Sequence, residues 1–140
     1  LYRYFPPRQA LLSRLAEQAV NDAGERLAAA RIDRVPPQEG VERAVRALAD
    51  AGDAFVVVAK ERVRPDQDLF EARVAAPLRR LVERGQSAGE IRGDLPAAWL
   101  AESLVSLVVN ALPSLPAMGR DDLVAAAASL FLDGAGARGR

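Results

Sequence analysis

Between Ala97 and Leu112 the polar side chains are Glu102, Ser103, Ser106 and Asn110, and three of them recur at i, i+4 and i+8. On a helix that spacing collects them on one narrow strip and leaves most of the circumference apolar, so the helix must be covered on several sides. Asp121 to Leu132 is similar: Asp122, Ser129 and Asp133 form a thin polar edge, while Leu123, Val124, four consecutive Ala residues, Leu130, Phe131 and Leu132 make the rest. In a small chain the second cover is most simply supplied by another copy. The expectation is a two-fold dimer in which these two helices meet their counterparts as a four-helix bundle. Leu104, Val105, Val108, Leu112, Leu123, Ala127, Leu130 and Phe131 would form the interface. The alternative is that both helices form the centre of a monomeric bundle.

The rest of the chain reads as helix too. Leu11, Leu15, Ala19, Ala23 and Leu27 recur every four residues, widened by Leu12, Ala16, Val20 and Ala30, which predicts a long amphipathic helix starting at Pro7 or Arg8 and ending before Pro36-Pro37. Gly24 in its middle costs about 1 kcal/mol relative to Ala, so a bend or a close helix contact is expected there. Val41, Ala44, Val45, Leu48 and Ala49 predict a second helix with Gly52 as its C-cap. Ala54 to Ala59 carries three consecutive Val residues and favours a strand locally, but no second strand is available to pair with it, so a helix capped by Asp53 is expected. A further helix runs from Asp66 to Arg84, with Pro77 inside it kinking the ladder and freeing the Arg73 carbonyl. Gly85 to Gly93 reads as a polar connection, Asp94 as the next N-cap, Pro113 and Pro116 as a turn, and Gly134 to Arg140 as a frayed tail. Six helices and no sheet are expected.

Composition narrows the chemistry. The 140 residues suit one domain, and the absence of both Cys and His removes thiolate nucleophiles, sulfur-ligated metals and the commonest general base. No run approaches the ~20 apolar residues of a membrane span, and the chain reads as soluble and cytoplasmic. Nineteen basic and nineteen acidic side chains balance, where a phosphate-binding module would show a basic excess. There is no G-x-S-x-G, no phosphate-cradling Gly loop and no paired carboxylate site, so no enzyme, metal or cofactor is expected. Asp121-Asp122 is explained by helix capping and the helix dipole.

A small-molecule pocket between helices needs apolar surface with a few polar groups. The candidates are Phe55, Phe70, Arg73, Trp99, Ser103, Ser106, Asn110 and Met118. Phe55 and Phe70 could equally be core, Arg73 an ion-paired surface residue, and the polar strip a seam at the dimer interface.

The chain opens with Leu1, Tyr2, Tyr4 and Phe5, then Arg8, Gln9, Ala10, Leu11 and Leu12, and later carries the phrase Leu81 to Leu95. Both resemble TetR-family transcriptional regulators: the first the hinge after the DNA-recognition helix, the second a helix-end, loop and helix-start. The resemblance implies an all-α, TetR-like C-terminal helical bundle: residues 1–5 a remnant of the recognition helix, residues 6–140 an effector-binding and dimerisation domain, and the head missing. It further implies a ligand-responsive regulator, expected to be a repressor, whose intact form binds operator DNA as a homodimer and responds to a small, largely apolar effector. Tyr2, Tyr4 and Arg8 would touch phosphates or bases in the intact protein, although the aromatics could simply plug a seam. The alternative function is a helical dimerisation or scaffolding module without a ligand.

Overall fold

The structure, a computed structural model, describes residues 7–52 and 66–136; the expected helix over Ala54 to Ala59 and its cap Asp53 lie outside them. Helix α1 (Pro7–Ala30) opens on a proline, whose missing N–H is no loss in a first turn. It buries Leu12, Ala16, Ala19, Val20, Ala23, Gly24 and Leu27, close to the predicted stripe, although Leu11 is turned to solvent. The helix ends in a left-handed residue, Arg31 (φ 53°, ψ 49°), and a 3-10 turn at Ile32–Arg34. Helix α2 (Pro37–Ala51) buries nine of its residues, Val41, Ala44, Val45 and Leu48 among them. It stops at Gly52, where φ is 45° and the N–H donates to the Leu48 carbonyl. Only glycine adopts that backbone without cost, so the predicted cap is confirmed.

Asp66 caps the next helix by accepting from the Leu69 N–H at 3.0 Å. Gln67–Phe70, Glu71–Ala75 and Ala76–Ser87 run on without interruption as one helix, α3, and the middle five residues form a π-helical turn. The ladder shifts there by one residue, the Ala76 N–H donating to the Glu71 carbonyl. The expected defect at Pro77 therefore takes the form of a π-bulge just before the proline, a common way of absorbing a missing donor.

Three expected boundaries move, among them the last: the helix expected to stop at Leu132 and fray from Gly134 runs on to Ala135. Helix α3 continues past Arg84 to Ser87 because Gly85 is packed rather than free, an added Cβ there standing 2.5 Å from the Ile91 side chain. Helix α4 (Ala97–Ala111) begins after Pro96, so Asp94 is not its cap; Asp94 is instead gripped by Arg92 at 2.7 Å. A 3-10 turn (Leu112–Ser114) and a short helix α5 (Leu115–Met118) lead to α6 (Arg120–Ala135), with Gly119 in a left-handed conformation at the cap. Asp121 and Asp122 thus sit in the first turn of α6, favourable for the dipole, and Asp121 also accepts from Arg46 of α2.

Helix α2 is the centre, packing on α1, α3, α4 and α6. Leu27, Val41, Val45, Val74, Leu78, Val82, Leu104, Val108 and Leu123 join in one core. Among the described residues there is no strand, only an isolated antiparallel bridge between Ile91 and Gly136. Together with the Arg92 N–H to Ala135 carbonyl bond, this bridge fastens the end of α6 to the loop after α3. Contrary to expectation, Ala97–Ser114 is apolar enough, with a mean hydropathy of 1.3, to pass as a membrane-crossing helix on length and composition; its Leu100, Ala101, Leu104 and Val108 are packed into the core.

Candidate functional site: two concavities flanking helix α3

Side chains leaving α3 on one flank face α1, and those on the other face α4. Between α3 and the end of α1 lies a cleft of about 640 Å3. Its floor includes Leu27, Ile32 and Leu81, and its walls carry Arg31, Arg34, Arg73, Arg80 and Arg84, with Asp33 the one carboxylate. Arg80 and Arg84, at i and i+4, share one face of α3, and Arg73, in the π-turn, opens onto the same cleft.

Arg73 is the most constrained of the five. Gly24 of α1 meets it so closely that an added Cβ would stand 2.8 Å from the Arg73 Cβ and 3.2 Å from its carbonyl oxygen. Its Nη2 donates to the Asn21 carbonyl at 3.3 Å, while its Nε is buried with no hydrogen-bond partner. Arg84 donates to the Ile32 carbonyl at 2.6 Å, tying the 3-10 turn to α3. Arg34 lies 3.8 Å from Asp33.

On the other flank a hollow of about 430 Å3 is bounded by Phe70, Glu71, Ala75 and Arg79 of α3 and by Ala98, Ala101, Glu102, Val105 and Ser106 of α4. Arg79 donates to Glu71 at 2.6 Å across its edge. That hydrogen bond, aided by the attraction of the two charges, holds the Glu71 carboxyl below its usual range and raises Arg79.

The sequence-derived candidates divide accordingly. Phe70 and Ser106 come together in the hollow, and Arg73 stands in the cleft. Trp99 and Met118 are 55% and 40% exposed, the Ser103 hydroxyl donates back to the Trp99 carbonyl within α4, and Asn110 is exposed; these four line neither concavity. Phe55, Tyr2 and Tyr4 lie outside the described residues, and Arg8 is exposed in the first turn of α1. Of the residues expected at a dimer interface, Leu104, Val108, Leu112, Leu123, Ala127 and Phe131 are already buried within a single protomer, because α4 is covered by α2, α3 and α6 of its own chain. Val105 is half-buried at the hollow, and Leu130 is 64% exposed. Arg31, Arg34, Arg80 and Arg84 were not singled out from the sequence. The i, i+4 spacing of Arg80 and Arg84 is the available signal.

Among the described residues no polar or charged residue is buried and no group of carboxylates is arranged to hold a metal.

No protein-family model matches the chain, and no curated protein matches it in sequence. Among solved structures it is similar to a protein of Shewanella sp. PV-4, provisionally assigned as a TetR family transcription regulator, with a TM-score of 0.69 and 17% identity. The match covers 96% of this chain and 78% of that one. At that identity the likeness concerns the fold: the chain has the all-α, TetR-like fold.

Proposed function

We propose that this chain is the effector-sensing and dimerisation part of a ligand-responsive transcription regulator of the TetR kind. The observation that supports the reading best is the fold likeness extending over 96% of the chain, joined by the opening and Leu81 to Leu95 phrases that resemble the family in sequence. The regulator acts in the cytoplasm as a homodimer, with repression the expected direction. Tyr2, Tyr4 and Arg8 would contact operator phosphates or bases in the intact protein. The effector is a small molecule with a largely apolar body, held in the hollow where Phe70 and Ser106 meet.

Helix α1 would carry the signal, since it crosses the π-turn of α3 at Gly24 and Arg73 without room for adjustment. A ligand that favours one tilt of α3 then favours one position of α1. Such coupling requires different ligand affinities in the two arrangements. The test selects DNA from a random pool with the full-length protein, then screens apolar small molecules for release of the selected DNA. A regulator yields an enriched operator and at least one releasing compound, whose effect Val105→Trp abolishes by filling the hollow. No enriched DNA, or enrichment with no compound acting, overturns the reading and favours a helical scaffold without a ligand.

A further inference from the structure

We propose that the arginine cleft between the end of α1 and α3 binds a small oxyanion bearing at least two negative charges, of the phosphate or carboxylate class. The inference goes beyond the regulatory reading. The cleft lies on the opposite flank of α3 from the effector hollow and needs neither an operator nor a dimer.

The first argument is charge. The chain is neutral as a whole, yet here five guanidinium groups face a single carboxylate, Asp33. Outside the cleft, Arg26, Arg43, Arg46, Arg79, Arg92 and Arg120 each hold an Asp or Glu at 3.0 Å or less. In the cleft, among the described residues, the Arg31 and Arg80 side chains make no ion pair or hydrogen bond, and the Arg73 and Arg84 side chains each give one bond to a backbone carbonyl. Like charges gathered in one concavity repel, and an anion entering it relieves the repulsion.

A further observation points the same way. Arg31 is the one non-glycine residue with a positive φ among those described. The position following a helix is one where glycine is usual, so a cation there is held against its backbone preference, as strained residues at ligand sites often are. Guanidinium forks match the geometry of phosphate and carboxylate oxygens. The cleft is a single concavity with an apolar floor rather than a long basic stripe. It therefore suits a small molecule better than a nucleic-acid backbone.

The test titrates the protein with sodium pyrophosphate and, separately, with citrate, by calorimetry at constant ionic strength set with chloride. Saturable binding of either, weakened at least tenfold in Arg31→Gln/Arg80→Gln and unchanged in Arg14→Gln on the exposed face of α1, supports the site; which probe binds identifies the oxyanion. Both cleft positions are exposed and unpartnered, so the double variant should keep the wild-type melting temperature. As a second readout, the Arg73 Nε–H resonance should shift on saturation. Absence of saturable binding by both probes, or binding equally strong in the double variant, overturns the proposal. So does displacement of the bound probe by random-sequence duplex DNA that itself depends on Arg31 and Arg80, which would reassign the cleft to nucleic acid.

Discussion

Gly24 of α1 and Arg73 of α3 approach so closely that the hydrogen on the Gly24 Cα occupies the space a methyl group would need: a Cβ built there falls 2.8 Å from the Arg73 Cβ and 2.9 Å from its Nε. The contact fixes where the two helices cross and sets the wall of the arginine cleft. It also explains a glycine in mid-helix, where alanine would otherwise be favoured.

Gly24→Ala should destabilise the fold. Helix propensity returns up to about 1 kcal/mol, but overpacking a tight contact costs about 1–3 kcal/mol, and the Arg73 Cβ and carbonyl are held by a helix on which they cannot retreat. A net loss of about 1–2 kcal/mol is expected in urea denaturation. A gain in stability would show that the crossing can open.

Ile91→Ala should cost about 2–5 kcal/mol, the usual range for emptying a buried aliphatic site. Ile91 is 2% exposed, sits over Gly85 and bridges to Gly136, so its loss also loosens the carboxyl end of α6. Hydrogen exchange should quicken over 132–136 before it does so over α2. Uniform exchange across the two would refute the fastening role.

Leu130→Glu bears on self-association. The side chain is 64% exposed in the single protomer, so the substitution should change protomer stability by no more than about 0.5 kcal/mol. If α6 meets its counterpart in a dimer, light scattering will show the wild type as a dimer and the variant as a monomer. A monomeric wild type would refute the dimer.

The acid limb of stability should report two carboxylates. The hydrogen bond from Arg79, opposed by desolvation and aided by charge attraction, lowers the Glu71 pKa; that from Arg92 does the same for Asp94. A carboxyl whose pKa is lower folded than unfolded contributes stability above its unfolded value, about 4, and loses that contribution as pH falls through the folded value. Thermal melts should therefore decline below about pH 4 to 5, and less steeply in Glu71→Gln/Asp94→Asn. Both pairs are exposed, so the difference should be modest and should shrink in high salt.

The helices with one apolar stripe were legible in the sequence because periodicity is a local property: α1 and α2 begin and end close to where Pro7, Pro37 and Gly52 indicate. Pro77 announced a defect, but whether it takes the form of a kink or a π-bulge is not written in the local sequence. Asp94 resembled a cap because a capping residue and a salt-bridging residue look alike until Arg92 is located. The apolar circumference of α4 suggests a partner's footprint, but burial of its Leu104 and Val108 is already supplied by α2, α3 and α6 of the same chain. Of the pocket candidates, Phe70 and Ser106 meet. The arginine cleft went unread because its walls come from three elements, and Arg31 and Arg34 carry no periodic signal linking them to α3.

The left-handed turn at Arg31 sets durability against recognition at one position. Replacing it by glycine would ease the backbone by about 1 kcal/mol while removing a charge from the mouth of the cleft. Laboratory selection for heat resistance alone would be drawn toward that exchange, and the proteins it enriched would be sturdier and worse at holding an anion.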